Sequence, residues 1–181
     1  MKKLVKLANF KAFLLSALVF SSCSSDDSGE ELVPLFPETD LSIIHGNSEK
    51  SWRITELIND FYDPNDHLEI EFGCVSDDVY TFSSNTDEVT ITLGEEKCFG
   101  TNDDGIFTAD VEIFDAELYF LNETITLEFA RGYINDEGTA LGVSLRWYKL
   151  AELSEDRMVF YRESSGILGD YREAIVFEII N

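Results

Sequence analysis

The sequence predicts an all-β domain: an antiparallel up-and-down β-barrel of about eight to ten strands, with a two-sheet β-sandwich as the alternative. Three observations carry this. Apolar and polar residues alternate with a period of two through most of the chain after residue 50, short clusters of turn residues interrupt that alternation, and no stretch sustains a helical stripe for three turns. The period suits both architectures, and no internal repeat of about 40 to 50 residues separates them.

Strand segments are expected at 51–58, 68–73, 78–84, 88–94, 106–114, 117–121, 124–131, 140–151, 157–163 and 173–180. In "LEIEF" Leu68, Ile70 and Phe72 share one face against Glu69 and Glu71, and in "VTITL" Val89, Ile91 and Leu93 oppose Thr90 and Thr92. "FTADVEIF" sets Phe107, Ala109, Val111 and Ile113 opposite Asp110 and Glu112, and "ITLEF" sets Ile125, Leu127 and Phe129 opposite Thr126 and Glu128. "DPND", "SSNTD", "NDDG" and "NDEG" supply turns. "YKLAELSED" holds at most one helical turn. Ahead of the strands, "HGNSEK" reads as a loop, and the apolar residues of "ELVPLFPETD" suit packing across one end of the fold.

The first 22 residues run from basic to apolar to small: Lys2, Lys3, Lys6 and Lys11 precede "AFLLSALVFSSC". This is the layout of a secretory signal, and it resembles a bacterial lipoprotein signal with Phe20, Ser21, Ser22 and Cys23 as the cleavage box. The resemblance implies that Cys23 becomes the first mature residue and carries fatty acid, two or more chains being needed for firm anchoring. The expected organisation is a signal peptide at 1–22, a lipidated acidic tether and entry segment at 23–50, and one barrel domain at 51–181. "CSSDDSGEE" resembles the serine-plus-acidic signature of exported surface lipoproteins of Bacteroidota. That places the protein on the outer membrane, at the cell surface or otherwise facing the periplasm.

Thirteen Lys and Arg stand against thirty-six Asp and Glu, a formal charge of −23. Loss of residues 1–22 removes four basic residues and no acidic one, leaving nine against thirty-six, or −27. Such a surface repels nucleic acid and anionic lipid and attracts cations or basic proteins. With Cys23 assigned to lipid, Cys74 and Cys98 remain as a pair in a compartment that permits disulfides. Their bridge stabilises by roughly 3 to 4 kcal/mol on chain entropy.

Trp52, then "CVSDDVYTFSSNTD", then "GEEKCFG" resemble the lipocalin-like lipoproteins of Bacteroidota over roughly residues 50–165. Cys74, Asp77, Tyr80, Phe82 and Cys98 sit on that pattern. The resemblance implies a small barrel able to take a small hydrophobic molecule, with a basic residue near the last strand covering Trp52. Arg146, Arg157 and Arg162 are the candidates.

Trp52, Phe72, Tyr80, Phe82, Phe107, Phe120, Phe129, Trp147 and Phe160 are expected to point inward, either filling the interior or lining a cavity. Asp103 and Asp104 in "NDDG" cluster oxygens of the kind Ca²⁺ accepts, although turn chemistry explains them and no twelve-residue Ca²⁺ loop surrounds them. Of Asp77 and Asp78, one is expected to accept backbone N–H groups at the start of a hairpin. No nucleophile, metal or phosphate motif is present, so neither an enzyme nor a cofactor is expected. Two readings follow. One is a lipid-anchored barrel that binds a small hydrophobic or amphipathic ligand. The other is a surface lipoprotein with a filled barrel whose acidic exterior binds a protein partner, a basic one by charge.

Overall fold

The computed structural model describes residues 36–58, 72–101, 108–135 and 137–180. Among them run nine strands: β1 (Glu49–Ile58), β2 (Val79–Ser83), β3 (Thr90–Thr92), β4 (Cys98–Thr101), β5 (Thr108–Leu121), β6 (Thr124–Ile134), β7 (Ala140–Leu153), β8 (Arg157–Ser164) and β9 (Tyr171–Ile179). Two short helices join them, α1 (Leu41–His45) and α2 (Phe72–Val75).

The strands form one antiparallel sheet in the order β3-β2-β1-β9-β8-β7-β6-β5-β4, so every neighbour is sequential except where β1 meets β9. This is the up-and-down barrel expected. Its remaining seam, between β3 and β4, is closed along β5. The upper half of β5 pairs with β4, and its lower half receives the chain just ahead of β3 through Val89 N–H to Ala116 O at 2.8 Å and Leu118 N–H to Asp87 O at 2.7 Å. Pairing both halves leaves little of β5 as a free edge.

Several expectations change in detail. Residues 72–75 are helical, not the end of a strand, and the rest of "LEIEF" lies outside the described residues. Here Cys74 is bonded to Cys98 and Val75 is fully buried, so the turn of helix is held by a covalent tie and one apolar anchor, and Phe72 is left 43% exposed. The segments expected at 106–114 and 117–121 are one strand, bent by a bulge between Ile113 and Asp115. In "VTITL" Val89 is buried, but Leu93 is exposed, because the chain leaves the sheet after Thr92. Asn122 (φ 51°) and Glu123 (φ 64°) form the two-residue hairpin between β5 and β6, the left-handed pair that matches the strands' twist.

The entry segment is part of the packed structure. A 3₁₀ turn at Glu38–Asp40 leads into α1, which Gly46 ends at φ 62°. Ile44 is fully buried, and Phe36 and Leu41 pack on the core. The loop expected at "HGNSEK" is shorter, since β1 already begins at Glu49.

The barrel's interior is built around Phe177. Its ring centroid lies 5.4 Å from Tyr80, 6.1 Å from Phe82, 6.1 Å from Phe160 and 6.3 Å from Phe129. Most of these contacts are edge-to-face, the arrangement favoured by ring quadrupoles. A second apolar layer covers the outside of β8 and β9, where Val159, Ala174 and Val176 are buried with Ala151 and Tyr171. β9 is therefore buried on both faces, and its "AIVF" run reads as continuous rather than alternating.

Candidate functional site

The inward residues divide into an aromatic lower half and a charged upper half. At the bottom, Trp52 is fully buried and donates its indole N–H to the Ile44 carbonyl at 2.8 Å. The basic residue over its ring is Lys50, with Nζ 4.5 Å from the centroid; none of Arg146, Arg157 and Arg162 does this. Lys50 lies two residues before Trp52 on the same strand face, and it also donates to the carbonyls of Ile43 (3.0 Å) and Glu155 (2.6 Å). The three expected arginines are occupied elsewhere. Arg146 and Arg162 reach Glu173, and Arg157 reaches Glu152.

Glu173 is the centre of the upper half. Its Oε1 accepts from Arg146 (2.8 Å) and from the Tyr148 hydroxyl (2.7 Å), and its Oε2 accepts from Arg162 (2.7 Å). Arg131 is buried in the same barrel. A carboxylate so deep in the protein persists because each oxygen is paired. Burial and the neighbouring Glu173 carboxylate push the Tyr148 hydroxyl well above its ordinary range. The arrangement acts as a brace between β7, β8 and β9.

Of the aromatic residues expected inside, Trp52, Tyr80, Phe82, Phe129 and Phe160 are brought together in the core and are buried. Phe120 packs on its margin and is half-buried. Phe72 and Trp147 are corrections: the first sits on the exposed side of α2, and the second is 45% exposed on the outer face of β7. Phe107, Cys23, Asp103 and Asp104 lie outside the described residues. Clefts lined by described residues include one of about 270 Å³ between α1 and the 83–89 turn and one of about 230 Å³ beside Arg157 and Glu178. Both open at the surface, and the first reaches the edge of the core, where Phe82, Val89 and Leu118 line it.

Both Asp77 and Asp78, rather than one of them, accept backbone N–H groups. Asp77 accepts the amides of Glu95 (2.6 Å) and Glu96 (3.2 Å), and these bonds, the Glu96 one foremost, hold its carboxyl below the usual range. Asp78 is buried and accepts the Gly94 amide at 2.7 Å. Burial outweighs that bond, and with the charges of Glu112 and Asp77 it raises the Asp78 carboxyl to about 6, against the opposing pull of Lys97. The two neighbours therefore shift in opposite directions while both clamp the 94–96 loop across the seam. Lys97 completes the clamp on Glu112 at 2.6 Å.

No family model matches the chain, and neither a curated protein nor a solved structure does. The functional reading therefore rests on the geometry and on the sequence motifs.

What period-two reading misses is the phase of β7. "ALGVSLRW" invites Leu141, Val143, Leu145 and Trp147 to face inward, whereas the strand turns Ser144, Arg146, Tyr148 and Leu150 toward the core side. A one-residue slip exchanges the faces of a whole strand. The signal in the sequence is Leu150: counting back by twos from it gives Tyr148 and Arg146, and the opposite phase would bury Lys149. The consequence is an exposed outer stripe, with Val143 at 57% and Leu145 at 50% beside Trp147; Leu141, beyond the bulge at Gly142, lies opposite Tyr133 and leaves that stripe. Tyr119 of β5 stacks on Trp147 at 6.0 Å and 26°.

Acidic residues sit directly beside this stripe. The sheet register places Glu117 opposite Glu128 and Glu128 opposite Trp147, with Asp115, Ala130 and Leu145 forming the adjoining row. Burial, then the charges of Glu117 and Asp115, raise the Glu128 carboxyl above its ordinary value. Like charges directly opposed across strands are unfavourable, and among the described residues no ion pair engages Glu117 or Glu128 beside the exposed indole.

Proposed function

We propose that this chain is a non-catalytic, lipid-anchored lipoprotein of the outer membrane whose barrel is filled and which acts through its exterior, by binding a protein partner. The observation that carries the reading is the packing at Phe177, where four rings within 6.3 Å occupy the space that a carried ligand would need. The formal charge of −23 and the exposed β7 stripe supply an exterior suited to recognition. The engagement of Asp77, Asp78 and Glu173 by neighbouring donors weighs against acid–base work at those carboxylates. The lipid anchor on Cys23 and the relationship to lipocalin-like lipoproteins rest on the sequence motifs.

Carriage of a small amphipathic molecule is the second reading. The charged upper half of the interior, where Arg131, Arg146 and Glu173 lie above the aromatic core, favours it.

Native mass spectrometry of the protein released from its own cell's membranes separates the two. The expected mass is a chain beginning at Cys23 with covalent lipid and nothing further in stoichiometric amount. A co-purifying metabolite or free lipid at one equivalent would replace the first reading with the second. Cys23→Ser should release the protein from the membrane fraction; retention there would overturn the anchor.

A further inference from the structure

We infer that the outer face of β5, β6 and β7 is a docking surface for a basic protein segment, one that sets an arginine or lysine among apolar side chains. This rests on the filled-barrel reading and names its partner class. The face has two parts in register. Val143, Leu145 and Trp147 offer an apolar strip along β7, and Glu117 and Glu128 lie beside Trp147 with Asp115 one row away.

The contrast with the neighbouring strands makes the exposure informative. On the outside of β8 and β9, and at Ala151 near the end of β7, the apolar side chains are buried in a second layer; at Val143, Leu145 and Trp147 of β7 they are not. Three large apolar residues at consecutive outward positions, Val143, Leu145 and Trp147, form a contiguous patch of the kind that marks an interaction site. Trp and Tyr, which supply Trp147 and Tyr119 here, are also the residue types enriched among interface anchors.

Charge decides the occupant. A second copy of this chain, at −23, would bring a second set of carboxylates onto Glu117 and Glu128. The chain's own leader carries Asp26, Asp27, Glu30 and Glu31, which have the same sign. Anionic lipid headgroups are repelled likewise. A guanidinium or ammonium instead relieves the Glu117–Glu128 repulsion and lies against the Trp147 ring, where a cation is attracted by the indole face, while its apolar neighbours cover Leu145 and Val143.

The test uses the full chain carrying Cys23→Ser, so that no lipid anchor contributes, and an immobilised peptide of alternating arginine and leucine, with a glutamate–leucine peptide as its counterpart. Binding is expected to the first peptide only. It should weaken about tenfold or more in Leu145→Ser/Trp147→Ser, as for loss of interface anchors, and in Glu117→Gln/Glu128→Gln. The glutamine variant should also show a shallower dependence on salt. Glu163→Gln/Glu178→Gln, on other strands, should bind as the parent does. Thermal melting confirms that each variant is folded, and Trp147→Tyr alone provides a milder change should the serine pair fail to fold.

Equal weakening by the Glu163/Glu178 pair would mean diffuse attraction to an acidic protein and would overturn the site. So would unchanged binding in the serine and tyrosine variants. Two other results would assign the face to a different occupant and overturn the proposal as well: dimerisation by sedimentation that Leu145→Ser abolishes, or flotation with phosphatidylcholine–phosphatidylglycerol vesicles that it abolishes. A basic partner found to bind elsewhere on the barrel would remove this surface while leaving the filled-barrel reading in place.

Discussion

The Trp52 indole N–H donates to the Ile44 carbonyl at 2.8 Å, and this bond joins the entry helix to the floor of the barrel. Both residues are fully buried, so α1 closes the lower end rather than trailing from it. Trp52→Phe should cost about 1 to 2 kcal/mol, since it leaves a buried carbonyl without its donor. Trp52→Ala should cost about 3 to 5 kcal/mol by opening a cavity as well. Urea titration of the two variants checks the order, and near-parental stability of the alanine form would place the ring outside the core.

Asp78 makes the fold sensitive to mild acid in an unusual direction. Its carboxyl is raised from 3.8 to about 6 in the folded protein, so between those values the native state binds more protons than the unfolded chain. Stability from this group is therefore greatest below about pH 4, declines as pH rises through 6, and is level above that. Other carboxylates add their own pH dependence, so the informative quantity is a difference. Asp78→Asn keeps an acceptor for the Gly94 amide and removes the titration. Unfolding midpoints from pH 4 to pH 7 should fall more steeply for the parent than for the asparagine variant, and parallel curves would contradict the assignment.

Gly94 is required by Asp77. A Cβ at position 94 would stand 2.1 Å from the Asp77 Cγ, so Gly94→Ala must turn that carboxylate away from the Glu95 and Glu96 amides it holds. Gly94→Ala and Asp77→Ala are each expected to lower the melting temperature, and the double variant to be no worse than Asp77→Ala alone by this route. Additive losses in a double-mutant cycle would show that the two positions act separately.

Glu123 occupies a left-handed position at φ 64° in the β5–β6 hairpin. The conformation crowds a side chain and is natural to glycine. Glu123→Gly should therefore raise stability by up to about 1 kcal/mol while removing one surface charge, read as a higher denaturant midpoint. Glu123→Gln, which removes the charge and keeps the strain, should not reproduce the gain.

The aromatic interior was largely legible because Tyr80, Phe82, Phe129 and Phe160 fall on the apolar phase of amphipathic strands, and that phase is local. Trp147 was not legible by the same rule. Its strand is apolar on one face and carries Arg146 and Tyr148 on the other, and which face turns inward depends on Glu173, twenty-seven residues from Arg146 along the chain. Phe72 fails for a related reason, since Cys74 and Cys98, bonded across a separation of 24 residues, hold its segment as a turn of helix. The basic cover of Trp52 is not one of the arginines far along the chain, as the resemblance implies, but Lys50, two residues away.

The sequence by itself determined the antiparallel β class, most of the strand succession and the pairing of Cys74 with Cys98, because alternation, turn chemistry and cysteine count are properties of neighbouring residues or of composition. β4 (Cys98–Thr101), whose four residues are too few to show a period, was not among the expected strands. Only the tertiary structure decided that Phe177 gathers the rings into a filled core, that β7 buries its charged side, and that Glu117 and Glu128 meet beside an exposed Trp147. Those outcomes depend on strand register and barrel closure, in which distant residues settle one another's faces, and a chain read locally carries no record of that choice.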